Sequence, residues 1–318
     1  MLKTIVYIAG YGRSGSTLLE RLLATHPQIE GLGEVSSLFR AMEQQEAQCA
    51  CGEPLASCPV WKSVYAQLQT QEKQKQLWKK LQMRFEAFPL GMAFARLWPE
   101  QYQTYCRFLQ WLFESVSSAL PTATVLVDSS KTAWPMAWRP LHLAKCLQVP
   151  VKVIHLVRDV RGCMWSNLRL NNQAAEQGEF SGIPWASFRT ALHWPIANMV
   201  AQAYQHAYPE HYLRIRYEDF VASPAAVMRS LSDFLEMDLS AQAALVDQMR
   251  TQALVLPRTH QVSGNRLRFR DQFKIRGDFS WRTSLQGHQR LLAWVCAGFV
   301  AQRYGYTWKS ADGSEEKA

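Results

Sequence analysis

An apolar run, Thr4–Ala9, gives way to Gly10-Tyr11-Gly12-Arg13-Ser14-Gly15-Ser16-Thr17 and then to an apolar, helix-forming stretch, Leu18–Leu23. A small-residue loop between a strand and a helix start aims backbone N–H groups at an anion. Gly12 and Gly15 permit close approach, Ser14, Ser16 and Thr17 add hydroxyl donors, and Arg13 supplies the cation. The loop lacks the Gly-Lys-Ser/Thr of a Walker sequence. Alone it reads as a phosphate binder, against the alternative of a Ser/Gly turn that merely caps a core helix.

A second segment has the same logic. The run Val151–Val157 ends in Arg158-Asp159-Val160-Arg161-Gly162, with a helical pattern continuing past Ser166. Arg158 stands where a strand ends, the place where open parallel sheets collect ligands. Ser166 follows eight residues later, about two helical turns along. An arginine and a hydroxyl on rigid elements suit another phosphate; the competing reading is a structural Arg158–Asp159 ion pair.

These loops need a scaffold, and the chain can supply one. Its 318 residues are 48% hydrophobic and 19% charged, a globular composition rather than that of a disordered chain or coiled coil. Four β-branched apolar runs, at 4–9, 124–127, 151–157 and 212–217, alternate with helical patterns, which predicts a parallel α/β sheet covered on both faces. Residues 60–120, 222–256 and 285–303 read as helical, and 44–60, 171–184 and 257–284 as long loops. The expected organisation is a single α/β domain over 1–308, with a helical insertion at 60–120 and a flexible polar tail at 309–318. The longest apolar run, 291–301, is too short for the roughly 20 residues of a bilayer span, and the run 4–9 is not followed by a cleavage site. A soluble, cytoplasmic protein is therefore expected.

Charge and cysteines add constraints. With 35 Lys+Arg against 26 Asp+Glu the net charge is +9, pointing to an anionic partner. Four of the seven cysteines, Cys106, Cys146, Cys163 and Cys296, lie in apolar contexts and read as buried free thiols. Cys49, Cys51 and Cys58 cluster without the paired C-x2-C of a zinc ribbon; a plain structural loop, a disulfide and a metal site all remain open.

Taken together, the two loops resemble those of sulfotransferases that use 3′-phosphoadenosine-5′-phosphosulfate (PAPS). Arg13-Ser14-Gly15-Ser16-Thr17 looks like their 5′-phosphosulfate loop, and Arg158 with Ser166 like their 3′-phosphate signature. Further matches are Leu32-Gly33-Glu34, Val127-Asp128-Ser129-Ser130-Lys131, Arg216-Tyr217-Glu218-Asp219 and Ser263-Gly264-Asn265. The style is that of the Arg-loop branch, which includes tyrosylprotein and bacterial small-molecule sulfotransferases. The resemblance implies a P-loop-like sheet whose helical insertions form the acceptor pocket, with Trp98, Tyr102, Tyr105 and Trp111 as candidate walls. Those aromatics also have the helical spacing of core residues.

The resemblance also implies roles. PAPS is the cosubstrate, adenosine 3′,5′-bisphosphate (PAP) the product, and no metal is required. Glu34 is the general base, Arg13 neutralises the departing 5′-phosphate, Lys131 donates to the transferring group, and Ser263 reaches the same region. Tyr217 contacts the nucleotide. The relatives' second arginine, twelve residues after Arg158, is Leu170 here, with Arg169 next to it. Within the basic loop 266–276, strand-like alternation makes Arg268 the first choice for the 3′-phosphate. Of the histidines, His26 and His155 read as structural, and His260 is the one to test for catalysis. The expected acceptor is a small molecule bearing a hydroxyl or, as the lesser choice, an amine, with no nucleic acid or membrane partner and homodimerisation left open. The rivals are a P-loop-type kinase and a non-catalytic nucleotide-binding module.

Overall fold

The computed structural model describes residues 2–44, 47–132, 135–176 and 183–309, and the side chains of all of these except 171–176 and 183–184. Its centre is a five-stranded sheet made of β1 (Thr4–Ala9), β2 (Ile29–Gly33), β3 (Val125–Asp128), β4 (Val151–Val157) and β5 (Tyr212–Arg216). The order is β2-β3-β1-β4-β5, and every pair is parallel. The chain leaves β1 towards β2 and β3 on one side, and leaves β4 towards β5 on the other. This reversal opens a crevice at the C-terminal ends of β1 and β4, and the two phosphate-type loops leave those two ends.

Helices fill both faces. After β1 comes α1 (Ser16–Leu23), and after β2 a short α2 (Leu38–Met42). Between β2 and β3 lie α3 (Lys62–Thr70), α4 (Glu72–Glu86), α5 (Gly91–Leu97) and α6 (Pro99–Ser118). Next are α7 (Arg139–Cys146), α8 (Val160–Glu176) and α9 (Ile183–Ala207). The series ends with α10 (Tyr217–Ala222), α11 (Pro224–Leu235), α12 (Ser240–Thr251), α13 (Trp281–Ser284) and α14 (Gly287–Gln302). A two-stranded antiparallel pair, β6 (Leu254–Val255) and β7 (Gln272–Phe273), frames the late basic loop.

The alternation along β1 shows how the core is divided. Ile5, Tyr7 and Ala9 pack with α3, α4 and α6 on one face, while Val6 and Ile8 pack with α1, α11 and α12 on the other. Every residue of β4 is buried, as expected of a central parallel strand. Among the described residues no helix is long and apolar enough to cross a membrane.

Four expectations need correction. The sheet has a strand, β2, that the β-branched runs do not announce. Its glycines serve tertiary packing instead: a Cβ on Gly31 would come 3.1 Å from the Glu20 side chain. The region 171–184 is not one long loop, because α8 continues to Glu176 and α9 begins at Ile183, with 177–182 outside the described residues. The tail at 310–318 is likewise outside them. Cys106 and Cys146 are not free thiols; a disulfide joins α6 to α7. Finally, three of the candidate wall aromatics, Tyr102, Tyr105 and Trp111, pack in or against the core, as their helical spacing allows, while Trp98 is exposed. Tyr105 is fully buried, Tyr102 bonds His142 through its hydroxyl (3.0 Å), and Trp111 stacks on Trp78 (4.9 Å).

Candidate functional site

The loop after β1 is shaped by its glycines. Gly10 has φ +111°, and a Cβ there would come 2.5 Å from the Leu156 carbonyl oxygen, so only glycine lets β1 and β4 diverge this tightly. Gly15 (φ +94°) occupies the N-cap of α1 and has no side chain with which to satisfy the first helical amides, which remain available to an external anion. The Tyr217 ring lies against it, 3.1 Å from where a Cβ would stand. Ser14 turns inward, its hydroxyl donating to the Tyr11 carbonyl (2.7 Å), and so braces the loop from behind.

Arg13 and Ser166 meet directly, Nε donating to Oγ at 2.9 Å, although they come from different strand–helix units. Arg158 is tied in the same place. Its Nη1 donates to the Arg13 carbonyl (3.0 Å), its Nη2 to the Asp278 carbonyl (2.6 Å), and its guanidinium stacks 4.3 Å over the Tyr217 ring. The Tyr217 hydroxyl in turn accepts the Asp278 amide (3.0 Å). The rival Arg158–Asp159 pair does not form, because the Asp159 carboxylate is taken by Arg161 (2.7 Å). Arg169 pairs with the Asp278 carboxylate at 2.6 Å, while Leu170 is exposed.

Across the crevice, Glu34 follows the end of β2. Its amide donates to the Ser263 carbonyl (3.0 Å), which presses on Gly33 (φ +74°) as well. Glu34 stands at the N-cap of a short 3-10 turn, 35–37, yet its carboxylate makes no capping bond. The carboxylate instead forms an ion pair with Lys131. Lys131 is held in the left-handed region (φ +65°), with its amide donating to Ile8 (3.2 Å) and its carbonyl accepting the Tyr7 hydroxyl.

Behind this pair sits a buried charged frame. Arg139 bridges Asp128 (3.0 Å) and Glu86 (2.6 Å), fixing the end of β3. Glu20 accepts the Gly33 amide and the Ser129 hydroxyl, both at 2.6 Å, and its burial raises its pKa to about 7. Burial likewise lowers the pKa of His155 to about 4, leaving a neutral imidazole between Tyr212 (2.6 Å) and Asn198 (2.8 Å), in keeping with a structural role.

These residues surround one cavity of about 630 Å³. Arg13, Gly15, Ser16, Thr17, Glu34, Lys131, Arg158, Ser166, Tyr217 and Ser263 all line it. Its wall carries eight cationic side chains (Arg13, Arg40, Lys131, Arg158, Arg169, Arg270, Lys274 and Arg276) against two carboxylates, Glu34 and Asp278. That imbalance suits a ligand with several negative charges and repels cations.

Other expected residues lie elsewhere. Ser14 is behind the loop. Arg268 is not in the wall: residues 266–269 form a 3-10 turn, not a strand, so alternation does not apply. Its guanidinium donates to the Gly264 (3.0 Å) and Gln48 (3.4 Å) carbonyls, while Leu267 and Arg270, three residues apart, face the cavity. His260 lies beside cysteines, outside the cavity wall. Trp98, Tyr102, Tyr105 and Trp111 are also absent from the wall, whose larger apolar groups are Leu18, Tyr217, Leu267 and Phe273. Sequence reasoning missed Arg40 and Asp278. Neither belongs to a spaced motif; their place follows only from the packing of α2 and the late loop.

The family model described as "Sulfotransferase family" matches residues 6–241. No curated protein sequence matches the chain. Among solved structures, the sulfotransferase domain from the curacin biosynthetic pathway is similar in fold, with TM-score 0.50, 20% identity, and coverage of 94% of this chain and 98% of that one. Mouse sulfotransferase SULT7A1 complexed with PAP gives TM-score 0.49 at 12% identity, covering 98% and 88% of the two chains. The sulfotransferase domain of the Synechococcus PCC 7002 olefin synthase gives 0.45 at 18%, covering 96% of each. The family match spans most of the chain, and the helix-flanked parallel sheet is similar in fold to the curacin domain: this chain belongs to the sulfotransferase family.

Proposed function

We propose that the protein is a PAPS-dependent sulfotransferase that moves a sulfuryl group to a hydroxyl of a small-molecule acceptor. The observation that carries this reading is the Glu34–Lys131 ion pair set in the wall of a strongly cationic cavity, opposite the open amides of α1. The donor set fits the nucleotide. The α1 N-terminus with Gly15, Ser16, Thr17 and Arg13 would hold the 5′-phosphosulfate. Arg158 and Ser166 would hold the 3′-phosphate, backed by the basic loop at Arg270, Lys274 and Arg276, and Tyr217 would flank the nucleotide.

The chemistry is an in-line displacement. The acceptor oxygen attacks sulfur as its proton passes to the Glu34 carboxylate, the new O–S bond forms, and the bond from sulfur to the 5′-phosphate oxygen breaks. PAP leaves with the bonding electron pair. Lys131 and Arg13 face the charge that grows on the bridging and phosphate oxygens, so arginine and lysine do the work given to Mg²⁺ in a kinase. Ser263, whose carbonyl holds the Glu34 amide, positions the base.

The test is a PAPS-consumption screen over hydroxyl and amine acceptors, with PAP release as readout and no added divalent cation. Acceptor-dependent PAP release supports the proposal. Turnover only with ATP and Mg²⁺ would show a kinase instead, and nucleotide binding without turnover across the screen would show a binding module.

A further inference from the structure

Away from the cavity, a second group of chemistry-bearing side chains is assembled from two distant parts of the chain. Cys49, Cys51 and Cys58 come from the loop between α2 and α3, and His260 from the loop after β6, about two hundred residues later. One ligand atom from each, the three Sγ atoms and an imidazole nitrogen, lies within 4.8 Å of all the others. The individual edges are 3.8 Å for Cys51–Cys58, 3.3 Å for Cys58 to His260 Nδ1 and 4.0 Å for Cys49 to His260 Nδ1. A tetrahedral zinc with Zn–S of about 2.3 Å and Zn–N of about 2.0 Å has S···S edges of roughly 3.8 Å and S···N edges of roughly 3.5 Å. The cluster therefore already has the dimensions of a coordination tetrahedron, and its sulfurs are too far apart to be disulfide-bonded.

We propose that Cys49, Cys51, Cys58 and His260 form a structural zinc site that staples the 47–61 loop to the 258–263 loop.

The surroundings have the form of an outer shell. The His260 backbone is pinned on both sides: its amide donates to Glu30 (2.9 Å), and its carbonyl accepts the Trp61 indole N–H (2.6 Å). Gly52, at φ +101°, makes the tight turn between Cys51 and Glu53. Three thiolates and one imidazole fill all four positions, which marks a closed structural site rather than a hydrolytic one. Binding releases the remaining thiol protons to solvent and forms three S–Zn bonds and one N–Zn bond, with no change of oxidation state.

The staple has a consequence for the cavity. From His260 the chain runs through Gln261, whose carbonyl accepts the Ala50 amide (3.1 Å), and Val262, whose amide donates to Leu32 (2.9 Å), to Ser263 and Glu34. The site thus fixes the segment that seats Glu34, while standing outside the cavity wall. The inference does not depend on the identity of the sulfuryl donor.

The test is elemental analysis of the full-length protein purified without chelator, with cobalt(II) substitution as a second readout. The expected result is one zinc per chain. Cobalt should give the visible bands of a tetrahedral ion and a thiolate charge-transfer band. Cys51→Ser and His260→Ala should each lower metal content at least tenfold, while PAP binding to whatever fraction is folded is retained. Metal-free, folded wild-type protein in which Cys49, Cys51 and Cys58 are all freely modified by a thiol reagent, with no tetrahedral cobalt spectrum, would overturn the proposal, as would a disulfide between any two of the three cysteines. Because both readouts are made on wild-type protein, a variant that fails to fold leaves the test intact, and a normal zinc content with no PAPS turnover would contradict only the catalytic reading.

Discussion

Glu34 and Lys131, 97 residues apart in the chain, form an ion pair where β2 and β3 end side by side. Each is held by its backbone, Glu34 through the Ser263 carbonyl and Lys131 through Ile8 and Tyr7, so the two side chains need little ordering to face the cavity. A carboxylate and an ammonium fixed at adjacent strand ends are the part of the site on which the proposed transfer depends.

Arg158 joins the two phosphate-type loops, and its removal should be felt first in nucleotide binding. Arg158→Ala should weaken PAP by about 2–3 kcal/mol, roughly 30- to 150-fold, measured by calorimetric titration. It should also lower Tm, since two carbonyls lose their donor. Unchanged PAP affinity would remove Arg158 from the 3′-phosphate site.

Gly33 is a lever on the position of Glu34. An added methyl would meet the Ser263 carbonyl and come 2.9 Å from the Gln261 Cβ, at a φ that L-residues avoid. Gly33→Ala should cost about 1–3 kcal/mol of stability and reduce kcat more than it changes KM. Gly287→Ala is the control: nothing lies within 4 Å of the new methyl, and its Tm should match or slightly exceed the wild-type value. Equal Tm for both variants would show that the Gly33–Ser263 contact is dispensable.

Much of this arrangement was legible in the sequence because it is local. Strand, loop and helix start succeed one another at 4–23 and again at 151–169, and β1 and β4 fall on the expected residues. What was hidden depends on tertiary contact. The strand β2 has glycines where a Cβ would crowd the Glu20 side chain, at Gly31, or collide with the Ser263 carbonyl, at Gly33. Arg268 was misplaced because a 3-10 turn replaces the assumed extended chain. His260 and the three cysteines meet only after the chain has folded back on itself, and the same is true of Cys106 and Cys146.

Glu20 should give stability a specific pH dependence. Its folded pKa, about 7, lies above its ordinary value of 4.5, so the native state binds the extra proton between those limits. This carboxyl therefore costs nothing below about pH 4.5, and stability falls as pH rises to about 7, by on the order of 3 kcal/mol. Glu20→Gln keeps the shape without the titration. Denaturant unfolding from pH 5 to 8 should show the variant gaining on wild type as pH rises; a constant difference would refute the assignment.

The most direct measurement compares PAP binding and single-turnover sulfuryl transfer in wild type and Glu34→Gln, using the acceptor identified by the PAPS screen. The account predicts PAP affinity within a fewfold of wild type and transfer slowed by about 10²- to 10⁴-fold, the usual contribution of a general base. Transfer at the wild-type rate would contradict it and remove Glu34 as the base.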